Sequence, residues 1–221
     1  VKSKVVLIAC LFLPVSGTCL SLSVGVGDNI PRTEVKVDGR SAKLGAPSVL
    51  LVGQLLYDAS PNFSVGVEVN HFGPNNKGSG DLIPGLDATL SSKSSTFLAL
   101  VKFSIGNQEK ASPFFIAGAG ISRNTISASG RPQPGLSWPD TGASEDRQLM
   151  DSTKTVGAAM FGLGIKIPLI DQLSIEGEAR YTARAKADYD FSPFSQAYSG
   201  SSGLRGPLNS VDLIARMVFR L

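Results

Sequence analysis

Eight stretches of about ten residues alternate apolar and polar side chains, and the connections between them alternate strictly between long and short. This pattern constrains the fold more than any other feature. The stretches fall at residues 20–28, 47–57, 62–72, 95–105, 113–124, 155–167, 173–186 and 209–221. The connections 58–61, 106–112 and 168–172 are short, whereas 29–46, 73–94, 125–154 and 187–208 are long and rich in Gly, Ser, Pro, Asn and Asp. In an antiparallel up-and-down meander this order gathers every short turn, and both ends of the meander, at one side. Tilted strands of this length span a bilayer, and short turns opposite long loops are the asymmetry of transmembrane barrels. Structureless connections this long are uncommon in compact soluble domains. The reading is an all-β, eight-stranded antiparallel up-and-down transmembrane β-barrel.

Hydropathy agrees. The chain is 42% hydrophobic and 18% charged with a mean hydropathy of +0.11, yet no run of about 18 apolar residues exists to form a membrane helix. Apolar side chains lie on one face only. In the seventh stretch Leu173, Ile175, Gly177, Ala179, Tyr181 and Ala183 share a face, with Ser174, Glu176, Glu178, Arg180, Thr182 and Arg184 opposite. In the eighth, Val211, Leu213, Ala215, Met217, Phe219 and Leu221 form the apolar face. A soluble sandwich also alternates, so residue size discriminates. Ala117, Gly118, Ala119, Gly120, Gly157, Ala158, Ala159, Gly162 and Gly164 leave room for long charged side chains inside a narrow cylinder. A turn centred on Ile170 sets Gly164 opposite Glu176 and Gly162 opposite Glu178. A soluble lipocalin-like barrel would need a large apolar interior, which the charges of the seventh stretch oppose.

Lys2 and Lys4 precede an apolar run from Val5 to Leu13, then Pro14 and the small residues Ser16, Gly17 and Thr18. This is the pattern of a secretory signal peptide, assigned to residues 1–19, with residues 20–221 as the barrel domain. Both cysteines, Cys10 and Cys19, fall in this segment, so the exported part holds no internal disulfide. Losing Lys2 and Lys4 lowers the formal charge from +3 to +1.

The face opposite the apolar one carries Glu68, Lys102, Glu176, Glu178, Arg180, Arg184, Asp212 and Arg216, with Lys166 at its margin. An eight-stranded barrel is narrow enough for side chains to fill it, so these charges form either a salt-bridged plug or a narrow ion path gated at a pair such as Arg216 and Glu178. Tyr57, Phe63, Phe103, Phe115 and Phe219 lie near the short-turn end and suit an interfacial girdle. Enzymatic signals are weak. The single histidine, His71, has Ser79 and Asp81 nearby in sequence, with nothing to fix it as a base. One histidine makes no metal site; Gly118 and Gly120 precede no helix and form no nucleotide loop. No cofactor is expected. No basic cluster interleaves with aromatics, so nucleic acid is not a partner. The only tryptophan, Trp138, ends the segment RPQPGLSW in the third long connection, where it anchors a ligand or rests on the rim.

The segments PFFIAGAGI (Pro113–Ile121), GLGIKIPL (Gly162–Leu169) and LSIEGEARY (Leu173–Tyr181) resemble the small outer-membrane β-barrel superfamily that includes the OmpA transmembrane domain, OmpX and OmpW. The resemblance covers the chain after the signal segment. It implies a monomer in the outer membrane of a Gram-negative bacterium, exported through the periplasm. Its partners would be the lipid bilayer with its lipopolysaccharide, the barrel-assembly machinery through the C-terminal strand, and an extracellular or host ligand. Leu221 stands where the superfamily usually has an aromatic residue, with Phe219 the nearest one. The expected role is structural and interfacial: membrane integrity, adhesion or host contact through the long loops, without enzymatic activity. A narrow channel for small or apolar solutes is the alternative, and a lipid-modifying enzyme the third reading.

Overall fold

A computed structural model describes residues 20–37, 40–44, 46–80, 85–106, 110–138, 140–200 and 203–221. The segment assigned to the signal peptide, and Asp81, lie outside the described residues. Among the described residues there are twelve strands and one helix: β1 (Leu20–Pro31), β2 (Thr33–Val37), β3 (Arg40–Leu44), β4 (Ser48–Ser60), β5 (Phe63–Gly80), β6 (Leu86–Ser104), β7 (Ser112–Pro132), β8 (Arg147–Ile170), β9 (Leu173–Arg184), β10 (Ala187–Asp190), α1 (Pro193–Ser199), β11 (Gly203–Gly206) and β12 (Ser210–Arg220).

Eight of these strands close an antiparallel barrel in the order β1-β12-β9-β8-β7-β6-β5-β4. Closure comes from the β1–β12 ladder, which runs from Ser21 opposite Arg220 to Pro31 opposite Ser210. A cylinder leaves no edge, so every backbone polar group within a bilayer finds a partner in the ladder. The outward face is apolar in register across the wall. Phe63, Phe103, Phe115 and Leu163 are successive partners on β5–β8, and so are Val69, Phe97, Ile121 and Gly157. On β8 the outward residues from Ala159 to Leu169 cover about 34 Å along the strand. At a tilt of about 45° that length matches an apolar band about 25 Å tall. Tyr57, Phe63, Phe103, Phe115 and Phe219 all lie on this outer surface toward the short-turn end.

Two expectations are corrected. The first concerns the bounds of the strands, which run well into the long connections of the sequence reading. The β7–β8 ladder continues to Gly130 opposite Arg147, and the β5–β6 ladder to Gly80 opposite Ala88. The other two connections supply β2, β3, β10 and β11, which pair as a second sheet in the order β10-β11-β2-β3. Gly and Ser content masked this alternation: Leu86, Ala88 and Leu90 on β6 and Ile126 and Ala128 on β7 still point inward. The second is the β8–β9 register. Gly162 lies opposite Arg180 and Gly164 opposite Glu178, because Asp171 and Gln172 form the turn and the register shifts between Pro168 and Ile170. The slip is two residues, so each side chain keeps its face.

The second sheet packs on the inward face of the extended β6–β8 wall around a separate apolar core. Val35, Leu90, Ile126, Trp138, Leu149, Met150, Tyr189 and Leu204 are all buried there. Trp138 is fully buried, not an exposed anchor. Its ring meets Phe194 edge-on at 5.4 Å, and its Nε1 donates to the Glu145 carbonyl at 2.8 Å. Arg147 lies 5.3 Å over the Trp138 ring and bonds both Asp140 oxygens, at 3.0 and 2.7 Å. The bond to Arg147 holds the Asp140 carboxyl below the usual carboxylate range, so its contribution is present at neutral pH and fades as pH falls through the lowered value. Ser192 caps α1, and both the Ser192 amide and the Ser195 hydroxyl donate to the Leu149 carbonyl at 2.9 Å.

Trp138→Ala should remove about 3 kcal/mol from this cap and leave the barrel closed. Limited proteolysis should then cut between β7 and β8 faster than in the wild type, while the unboiled protein keeps its faster gel migration.

Candidate functional site in the barrel lumen

The inward face of the barrel is split. Leu56, Leu98, Leu100, Phe114, Ile116, Ala158 and Met160 line one side, mostly from β6–β8. Charges from β5, β9 and β12, joined by Lys102 of β6, occupy the other, because alternation sends every second residue of each strand inward.

Glu68 is the hub. It is fully buried and accepts from Arg180 Nη1 at 2.6 Å, Asn70 Nδ2 at 3.0 Å and Gln54 Nε2 at 3.3 Å, with Arg216 Nη1 at 3.5 Å. Arg180 Nε donates to Asp212 at 3.1 Å, and Asp212 also accepts from Asn29 at 2.6 Å and Thr182 at 2.9 Å. Arg216 pairs with Glu178 and lies 3.5 Å from Glu176. Glu176 pairs in turn with Lys102, whose ammonium sits 4.1 Å over the Phe114 ring. One connected network therefore holds Glu68, Lys102, Glu176, Glu178, Arg180, Asp212 and Arg216. Lys166 is half-buried and lines the rim of a cavity of about 60 Å³ at the short-turn end.

Arg184 stands apart from the carboxylates. Its guanidinium donates to Ser122 at 3.1 Å, Ser210 at 3.2 Å, Thr96 at 3.4 Å and the Leu208 carbonyl, and it lies 5.4 Å from the Phe72 ring centre. Ser94, Thr96, Ser122 and Asn124 form a hydroxyl and amide cluster around it. Leu208 belongs to the cap core, so Arg184 joins lumen to cap. Sequence reading missed this layer because isolated Ser and Thr residues on alternating strands carry no distinctive spacing.

Small residues make room for the cations. A Cβ on Gly162 would lie 2.6 Å from Arg180 Cβ, and one on Gly25 would collide with the Arg216 side chain. His71 is on the outer wall, its Nδ1 2.9 Å from the Ser95 hydroxyl. Ser79 lies on the β5 backbone away from the lumen's charged layer. Among the described residues no group of acidic, histidine and cysteine side chains is arranged to hold a metal.

The outer membrane protein beta-barrel domain family matches residues 8–199, and the chain belongs to that family. It is an outer-membrane β-barrel protein of a bacterium. The solved structure of the outer membrane protein OprG from Pseudomonas aeruginosa is similar, at 16% identity and a TM-score of 0.54, over 92% of this chain and 95% of that one. The outer membrane protease OmpT from Escherichia coli is similar at 11% identity and a TM-score of 0.52, over 95% and 99%. The Ail protein of Yersinia pestis matches at 16% identity and a TM-score of 0.41, over 90% and 98%. Among curated proteins none matches the sequence. The likenesses to OprG and OmpT concern the fold alone; barrels of this shape include a protease.

Removing one partner of a buried ion pair strands the other. Arg216→Ala should therefore cost about 3–5 kcal/mol, read by urea unfolding in lipid vesicles. Arg216→Met combined with Glu178→Leu should recover most of it. Gly162→Val should cost about 1–3 kcal/mol by overpacking against Arg180, in the same assay.

Proposed function

We propose that the protein is a surface-contact barrel with a sealed lumen, non-enzymatic, whose ordered cap presents the contact surface for an extracellular or host ligand. The observation that carries this reading is the pair Arg180 and Arg216. Both are buried across the lumen between carboxylates from three strands, Glu68, Glu178 and Asp212. The apolar cap lies above them. Eight strands leave an interior that side chains fill, and opposite charges packed at these distances do not part without a cost of several kcal/mol. The charges serve stability and the cap serves contact.

The non-enzymatic reading is supported by the placement of His71. It faces outward, bonded to Ser95, and among the described residues no carboxylate is paired with it. The interfacial aromatics Tyr57, Phe63, Phe103, Phe115 and Phe219 would hold the short-turn end at the inner headgroup level. Residues 1–19 would be removed on export, and β12 would be the strand read during assembly of a monomeric barrel. A narrow channel is the second reading. It is favoured by the cavity at the short-turn end, which reaches Lys102 and Glu176.

The test is planar-bilayer recording of the refolded full chain. A silent bilayer containing inserted protein is expected. Discrete, reproducible openings that change with Arg216→Ala would replace this reading with transport.

A further inference from the structure

On the outer wall the apolar rows end at Val69, Phe97, Ile121 and Gly157, and the next outward residues are His71, Ser95, Arg123 and Thr155. Beyond that boundary, and so outside the membrane, the wall has a seam. β8 has a strand partner on its β9 side only from Ala158 onward. β10 is the edge of the second sheet and pairs with β11 on one side alone. The two edges are tacked together at both ends. There the Ala185 amide donates to the Gly157 carbonyl and the Ser192 amide to the Leu149 carbonyl, each at 2.9 Å. Between these points side chains do the bridging. Lys154 pairs with Asp190 at 2.7 Å, and the Asp190 amide donates to Ser152 Oγ at 3.2 Å.

The seam opens into a cavity of about 540 Å³, within the size range of small-molecule sites. Its rim is Gln148, Asp151, Thr153 and Asp190, all exposed, and its floor is the buried Met150 and Phe191. Asp151 and Asp190 offer acceptors, Lys154 offers donors, and Gln148, Thr153 and Ser192 offer both. Strand alternation adds backbone groups. Counting from Gly157, the amide and carbonyl of Asp151 and Thr153 face the seam, where no strand pairs them.

This donor and acceptor set discriminates between ligands. A phosphate or sulfate would meet two carboxylates. An apolar solute would leave the rim and the backbone groups unpaired. An added peptide strand needs about 4.8 Å on each side, and the bond from the Asp190 amide to Ser152 holds the edges closer than that. Hydroxyl groups donate to carboxylates and accept from ammonium and amide N–H, so a neutral sugar satisfies every member of the set.

We propose that the seam between β8 and β10 binds a neutral oligosaccharide carried by an opposing surface. Asp151 and Asp190 accept from vicinal hydroxyls of the sugar, Lys154 and Gln148 donate to its oxygens, and the free edge of β8 completes the polar contacts. The inference rests on the reading of the cap as the contact surface and names the class of ligand.

The test probes an array of neutral oligosaccharides with the refolded full chain in zwitterionic micelles. Retention on neutral glycans is expected, and periodate cleavage of their vicinal diols should abolish it. That comparison needs no variant to fold. Gln148→Ala with Asp151→Asn should weaken retention about tenfold or more, since hydrogen bonds to charged groups are the stronger ones. Asp188→Asn with Arg205→Gln, which removes an exposed ion pair elsewhere on the second sheet, should leave retention unchanged. No retention on any neutral glycan, retention that survives periodate, or equal loss in the Asp188 and Arg205 control would each overturn the proposal. Glycan retention and bilayer conductance are separate readouts. A silent bilayer without glycan retention removes this inference alone, whereas a conducting barrel that retains glycans removes the sealed lumen and leaves the seam's ligand in place.

Discussion

Backbone hydrogen bonding in hydrocarbon is the constraint from which the rest of this structure follows. An unpaired amide or carbonyl there costs several kcal/mol, and a sheet escapes that cost only by closing. The β1–β12 ladder performs the closure. Once the sheet is closed, the pleat has one inside and one outside, and a single alternation must satisfy two different media. Lipid takes the outward Val, Leu, Ile and Phe of every barrel strand. The inside is then left with the polar half of the same pattern, whatever the protein does.

A polar inside in a narrow cylinder is a problem of pairing and of room. Four acidic side chains, Glu68, Glu176, Glu178 and Asp212, meet Lys102, Arg180 and Arg216 in one network, with Arg184 set above them on hydroxyls. Pairing offsets desolvation only where further hydrogen bonds complete each group. Gln54, Asn70, Asn29 and Thr182 do that for Glu68 and Asp212. Room comes from Gly25 and Gly162, where the absent Cβ is the space that an arginine stem occupies. Charges, amides and glycines act as one unit, and changing any one alone should be felt by the others.

The barrel was legible because its signal is long and redundant. Each strand repeats the alternation several times, and the short turns punctuate it. The inward assignment of Glu176, Glu178 and Arg180 needed only parity, which is why a two-residue error at the β8–β9 turn left their face unchanged. What could not be read was pairing across the lumen. That Arg180 meets Glu68, 112 positions away in sequence, depends on closure and stagger, which no local pattern encodes. The cap was illegible for another reason. Leu86, Ala88 and Leu90 alternate with Asp87 and Thr89 within a stretch flanked by Gly, Ser and Pro, and the composition of the flanks outweighed the alternation. Trp138 gave no hint of its burial, since its ring partner Phe194 lies in a different long connection.

The cap also shows where the inside-out logic of the barrel reverses. Along β6 the inward residues read Leu86, Ala88, Leu90, then Ser92, Ser94, Thr96, then Leu98, Leu100 and Lys102. Beyond the membrane the outward face meets water, so Asp87, Lys93, Arg123 and Arg131 can point outward and the inward face is free to be apolar. The hydrophobic effect, which contributes little between lipid and an apolar wall, becomes available again and folds the long connections into a second core. A single pair of strands thus carries two opposite burial schemes in series. The hydroxyl layer around Arg184 is the join between them, and it is polar because both schemes end there.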